Sequence, residues 1–135
     1  ETGVGCVWVV VERLAGLGVE RLVMKSNLRL FVAQRLEQRL CPVCAVQPTH
    51  ETLNWFERQD RRKRSSPSHI RQRFEQGCSN CCGGIRGRLP VLEWASFEMD
   101  GPKKVAKVHQ TIQEARLVRA FRGEIDALEV SRAIE

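Results

Sequence analysis

Apolar positions recur along this chain at two different periods, and the changes of period mark its elements. Within residues 6–40, Val19, Leu22, Val23, Leu28, Phe31, Val32, Leu36 and Leu40 mostly return at threes and fours. That spacing brings side chains onto one face of a helix. Gly16 and Gly18 separate this stretch from the Val-rich run Cys6–Val11, and Ser26-Asn27 can end one helix and cap the next. Two helices are therefore predicted here. Residues 89–99 alternate imperfectly, with Val91, Glu93, Ala95 and Phe97 on one side and Leu92, Trp94 and Ser96 on the other, which predicts a strand. In residues 102–134, Val105, Val108, Ile112, Ala115, Val118, Phe121, Ile125 and Leu128 repeat at helical spacing. Pro102 suits the first position of that helix, and Gly123 divides it.

The middle of the chain reads differently. Residues 50–59, HETLNWFERQ, predict a short helix capped by Thr49 or Thr52, and residues 68–77, SHIRQRFEQG, predict another with Ser68 as N-cap and Gly77 past its end. Between them RRKRSSPSH has the composition of a loop. The expected fold class is mainly α with a small metal-stabilised α+β module, its helical N- and C-terminal segments flanking that module. The expected boundaries are 1–40, 41–88 and 89–135, packed as one compact unit.

Composition limits the classes. With 135 residues and 42% hydrophobic side chains, the chain suits one domain with a packed core. No apolar run approaches the roughly 20 residues of a membrane-spanning helix. The first residue is Glu, which implies a processed chain or a fragment. Charge is local: Arg58, Arg61, Arg62, Lys63, Arg64, Arg71, Arg73, Arg86 and Arg88 are opposed within their segment only by Asp60 and Glu75. The net charge of the whole chain is +6, so the remainder is slightly acidic. A basicity so concentrated favours a patch facing a polyanion.

The cysteines change the picture most. Cys41 and Cys44 form one Cys-x-x-Cys turn, Cys78 and Cys81 a second, and 33 residues separate them. Each turn delivers two sulfurs, and two turns complete the closed four-thiolate shell of a structural zinc site. Gly83 and Gly84 let backbone amides turn toward the second pair. His50 and Cys82 are alternate ligands, an iron–sulfur cluster could use the same thiolates, and Cys6 reads as a buried free thiol. Residues 41–46 and 78–84 resemble the knuckles of zinc-ribbon and treble-clef modules. That resemblance implies bound Zn2+, with the basic segment as an unusually long insertion between knuckles.

Residues 61–73 resemble the basic, RNA-contacting segment of the ribosomal L24/L26 family. Residues 12–30 are similar to a helix-turn-helix, and Arg61–Ser65 to a furin-type processing site. The Cys-x-x-Cys spacing is awkward for a disulfide and no Asn-x-Ser/Thr sequon occurs, so an intracellular, reducing compartment is expected over secretion. Trp55, Phe56 and Phe74 either stack on bases or pack around the metal site. No phosphate-binding glycine loop, His-Glu-x-x-His or Gly-x-Ser-x-Gly is present. The expectation is a non-catalytic, zinc-stabilised nucleic-acid-binding protein with RNA favoured over DNA, a ribosomal or other ribonucleoprotein component whose terminal helices dock protein neighbours away from any membrane. The alternatives are a DNA-binding transcription regulator, a zinc-stabilised assembly subunit of a larger complex, and a secreted disulfide-linked precursor.

Overall fold

A computed structural model describes residues 4–59, 67–100 and 103–134. Its elements are helices α1 (Val4–Gly16) and α2 (Arg21–Asn27), strand β1 (Leu30–Leu40), helix α3 (His50–Gln59), a 3-10 turn (Pro67–His69), strands β2 (Ile85–Asp100) and β3 (Lys103–Gln110), and helices α4 (Ile112–Phe121) and α5 (Ala127–Ile134). The strands form one sheet in the order β1-β2-β3, with β2 and β3 antiparallel.

This architecture corrects the mainly α expectation, because strands of 11 and 8 residues stand where helix was predicted, and the expected strand extends to 16 residues. Leu28, Val32, Leu36 and Leu40 recur at fours, and a period of four is also a doubled period of two, so the same residues suit one face of a strand. β3 alternates exposed and half-buried along its whole length, which is a strand's signature, although Val105 and Val108 stand three apart. The strand expected over 89–99 lies inside β2. Gly123, at φ 73°, does separate two helices, α4 and α5. The helix expected over 68–77 is absent: only the 3-10 turn forms, and Gln72 then bridges Val46 as extended chain.

Chain contacts divide the molecule into two units. The first comprises residues 1–35 and 92–115. Its core is Ala95 and Phe97, surrounded by half-buried Val11, Leu28, Phe31, Ala106 and Val108. Phe97 N–H donates to the Arg29 carbonyl at 2.8 Å. Thr111 and Glu114 form a reciprocal cap at the start of α4, with Glu114 N–H on Thr111 Oγ1 at 3.1 Å and Thr111 N–H on Glu114 Oε2 at 3.0 Å. The buried Glu93 adds a carboxylate oxygen 3.3 Å from the Ile112 amide.

The second unit comprises residues 36–91 and 116–135. Phe56 of α3 is its centre: fully buried, it meets Trp55 edge-on at 4.9 Å and Phe121 at 5.2 Å between ring centroids. Thr49 caps α3 through its Oγ1, which accepts from Thr52 N–H at 3.4 Å. Buried Arg116 faces Glu37 at 2.9 Å as an ion pair, without the alignment of a hydrogen bond. Since Phe56 is fully buried against Trp55 and Phe121, Phe56→Ala is expected to cost about 3–5 kcal/mol in equilibrium urea unfolding. A loss below about 1 kcal/mol would show that the unit is centred elsewhere.

Candidate metal centre

The two cysteine turns are placed by backbone, not by sulfur. Leu40 N–H donates to the Glu124 carbonyl at 2.9 Å and Cys41 N–H to the Gly84 carbonyl at 2.8 Å, so the end of β1 is held on the second turn itself. The first turn closes through Ala45 N–H on the Cys41 carbonyl at 3.1 Å, and the paired bonds of Val46 with Gln72 fix its exit. The second turn closes through Cys81 N–H on the Cys78 carbonyl at 3.3 Å, and Cys82 bridges Ile85 beyond it. Gly84, at φ 83°, packs so close to the Phe74 carbonyl oxygen that a Cβ there would overlap it.

These constraints bring together four sulfurs. Sγ atoms of Cys41 and Cys78 lie 3.8 Å apart, those of Cys44 and Cys81 3.7 Å, and those of Cys78 and Cys81 3.7 Å. All four ligand atoms fall within 4.8 Å of one another. A tetrahedron with zinc–sulfur bonds of about 2.3 Å has edges of about 3.8 Å. A disulfide needs about 2.05 Å, so these are four thiols and not two bridges. The spacing fits a tetrahedral metal ion, and Cys41, Cys44, Cys78 and Cys81 form a four-cysteine cluster within metal-binding distance.

The thiols are not alike. At Cys41 burial opposes ionisation, but the Cys44 and Val43 amides and the neighbouring thiols overcome it and lower the group to about 7. Cys44 is pushed up to about 12 by burial and by the thiols of Cys81, Cys41 and Cys78. Cys81 is lowered by the backbone amide of Cys78, with Gly84 N–H also 3.3 Å from its sulfur. At Cys78 the Asn80 amide favours the thiolate, yet burial and the Cys81 and Cys41 thiols raise the group. Backbone amides favour the thiolate at Cys41 and Cys81, while burial and the neighbouring thiols oppose it at Cys44 and Cys78. A divalent cation removes that resistance.

The other singled-out residues are placed otherwise. Among the described residues neither His50, exposed at the start of α3, nor Cys82, exposed beyond Cys81, belongs to the cluster. Arg61, Arg62, Lys63 and Arg64 lie outside the described residues, as does the Cys6 side chain. Arg58, Arg86 and Arg88 are exposed. Arg71 donates Nη1 to the Ser68 and Ile70 carbonyls at 2.8 Å each, and Arg73 donates Nε to the Gly83 carbonyl at 2.6 Å. Arg73 thus braces the turn beyond Cys81, a role that no spacing in the sequence signals, while Arg71 closes its own local turn. Trp55 and Phe56 are buried in the core and offer no stacking platform.

A sequence model of the family described as type II/IV secretion system protein matches residues 6–130. The chain is 34% identical over 84 residues to the protein transport protein HofB homolog of Escherichia coli (strain K12), covering 60% of this chain and 16% of that protein. It is 32% identical over 97 residues to the type IV pilus assembly ATPase PilB of Myxococcus xanthus, covering 70% of this chain and 17% of the relative. To the type IV pilus assembly ATPase TfpB of Acinetobacter baylyi it is 28% identical over 110 residues, covering 78% and 18%. The chain thus spans between 16% and 23% of the length of the curated relatives it matches. These matches overturn the ribosomal, RNA-binding and DNA-regulator readings and the nucleic-acid partner with them. They equally correct the expectation of no enzyme, since two relatives are named ATPases.

Protons and metal compete for the same sulfurs, so the sign of the pH dependence is fixed. Acidification below about 7 reprotonates Cys41, and Cys44, raised to about 12, ionises only with metal bound. Metal affinity is expected to fall steeply as pH drops from 8 to 5, read by zinc release to a chromogenic chelator. An affinity independent of pH would exclude thiolate coordination. Gly84→Ala should weaken binding as well, by driving a Cβ into the Phe74 carbonyl.

Proposed function

The chain belongs to the type II/IV secretion system protein family, and from that membership we propose that it is the metal-clipped part of an ATPase working in secretion or pilus assembly. The match over residues 6–130 is the observation that carries the reading. The names of the relatives support the activity: protein transport for one, pilus assembly ATPase for two. The chain has no Gly-x-x-x-x-Gly-Lys-Ser/Thr loop, so the cradle for ATP phosphates belongs to sequence outside the matched segment.

Zn2+ is the ion proposed for the cluster. Cys41, Cys44, Cys78 and Cys81 would hold it, and four protein ligands leave no open position for a substrate. The ion supplies charge neutralisation and a fixed crossing of two turns. This chain's own groups do the remainder: the Cys78 and Gly84 amides point at Cys81 Sγ from 3.2 and 3.3 Å, and Arg73 holds the Gly83 carbonyl. Free thiols at 3.7–3.8 Å would oxidise in an oxidising compartment, which supports a reducing one. Among the described residues no helix is long and apolar enough to cross a membrane. The proposed partners are other protein subunits of the secretion or pilus machinery.

The test uses the full-length protein that carries this segment. Elemental analysis should find about one zinc per chain, and the protein should hydrolyse ATP. The double variant Cys41→Ser/Cys78→Ser should lose the zinc and melt earlier. Zinc without ATP turnover would refute the ATPase assignment and keep the metal centre. Turnover without zinc, in protein purified under reducing conditions, would refute the metal and keep the family activity.

A further inference from the structure

The first unit carries a groove of about 580 Å³ that neither the metal centre nor the sheet pairing uses. Its floor is apolar, built from Val11 of α1, Met24 of α2, Leu28, Phe97 of β2 and Val105 of β3. Its rim is cationic: Arg21, Lys25, Lys103 and Lys104 stand against a single carboxylate, Glu12. We propose that this groove is a docking site for an acidic amphipathic helix of a partner protein. The inference stands independently of the proposed metal and ATPase activity.

Three observations favour that occupant. An apolar floor between cations calls for a ligand with an apolar stripe and acidic flanks, the chemistry of helix-in-groove recognition. Arg21 and Lys25 lie one turn apart on α2, so their side chains repeat at about 6 Å along the groove, the spacing of carboxylates at i and i+4 on a partner helix. A single anionic head group would engage one end of such a row. Lys104 closes the opposite side: its Nζ donates to the Lys25 carbonyl at 2.6 Å, which places the β3 cations beside the end of α2. Burial and the nearby Arg29 lower the Lys104 pKa, consistent with positive charge gathered here before any partner arrives.

The probe is a fluorescent helical peptide of about five turns, with leucines on one face and glutamates on both flanks. It is titrated against the full chain by anisotropy, beside a peptide of identical composition with the leucines scrambled and beside laurate as a simple anionic amphiphile. Saturable binding of the striped peptide is expected, weakening as salt rises. Arg21→Glu/Lys25→Glu should weaken it by at least about tenfold. Both side chains are exposed, so the fold should survive. If the reversed pair nonetheless melts early, Arg21→Gln/Lys25→Gln carries the measurement. Equal binding of the scrambled peptide, or no response to either pair, would overturn the proposal. Binding of laurate without the striped peptide would replace it with a lipid-like ligand.

Discussion

Four sulfurs within 4.8 Å are the constraint on which the second unit depends. Burial first, and then the neighbouring thiols, hold Cys44 back from ionising, while backbone amides favour the thiolate at Cys41. The geometry nevertheless holds them at tetrahedral spacing, because the backbone bonds Cys41–Gly84 and Val46–Gln72 set the turns before any ion is considered. A site assembled by amides and completed by a cation is the arrangement expected when metal binding and folding share free energy. Closing the long segment between the turns also removes chain entropy that a small unit could offset only slowly by burial.

That segment is no passive insertion. α3 lies inside it, and its Phe56 joins Phe121 of α4 in the core. Asp126 reaches the same region, accepting from the Arg73 amide at 3.3 Å, and Ala127 N–H donates to the Arg71 carbonyl at 3.1 Å. Gly123 is needed because its missing Cβ lets the α4–α5 turn press on the His69 carbonyl. A metal at the four sulfurs would therefore tie a segment already anchored at its middle by aromatic packing. The two devices restrain different degrees of freedom: the ring fixes where α3 sits, and an ion would fix how the turns cross.

The sequence made the cysteine cluster legible because Cys-x-x-Cys is a local motif whose spacing is itself the geometry. It made α3, the Gly123 break and the strand around Val91–Phe97 legible for similar reasons. It misled over β1 and β3, where apolar residues at fours or threes suit helix and strand alike, and pairing along β2 decided for the strand. The basic segment misled more deeply. Charge density along a chain does not say where side chains point, and Arg71 and Arg73 turn inward to carbonyl oxygens. A phosphate-binding surface and a braced loop have the same composition. Membership in the type II/IV secretion system protein family is not written in any short motif singled out here, since the chain carries no phosphate loop.

The two units meet the problem of small size differently. An ion at residues 41–81 stabilises only the chain it ties, and the first unit contains none of those ligands. There the core is Ala95 and Phe97 within a ring of half-buried neighbours, while Leu17, Leu22, Val23 and Met99 remain exposed. Any ligand that binds only the folded form adds its binding free energy to that unit's stability. On the docking proposal, a partner seated in the apolar groove ringed by cations would stabilise the first unit in this way. In the second unit the chain's own four sulfurs stand where an ion could tie two turns; among the described residues the first unit has no such cluster.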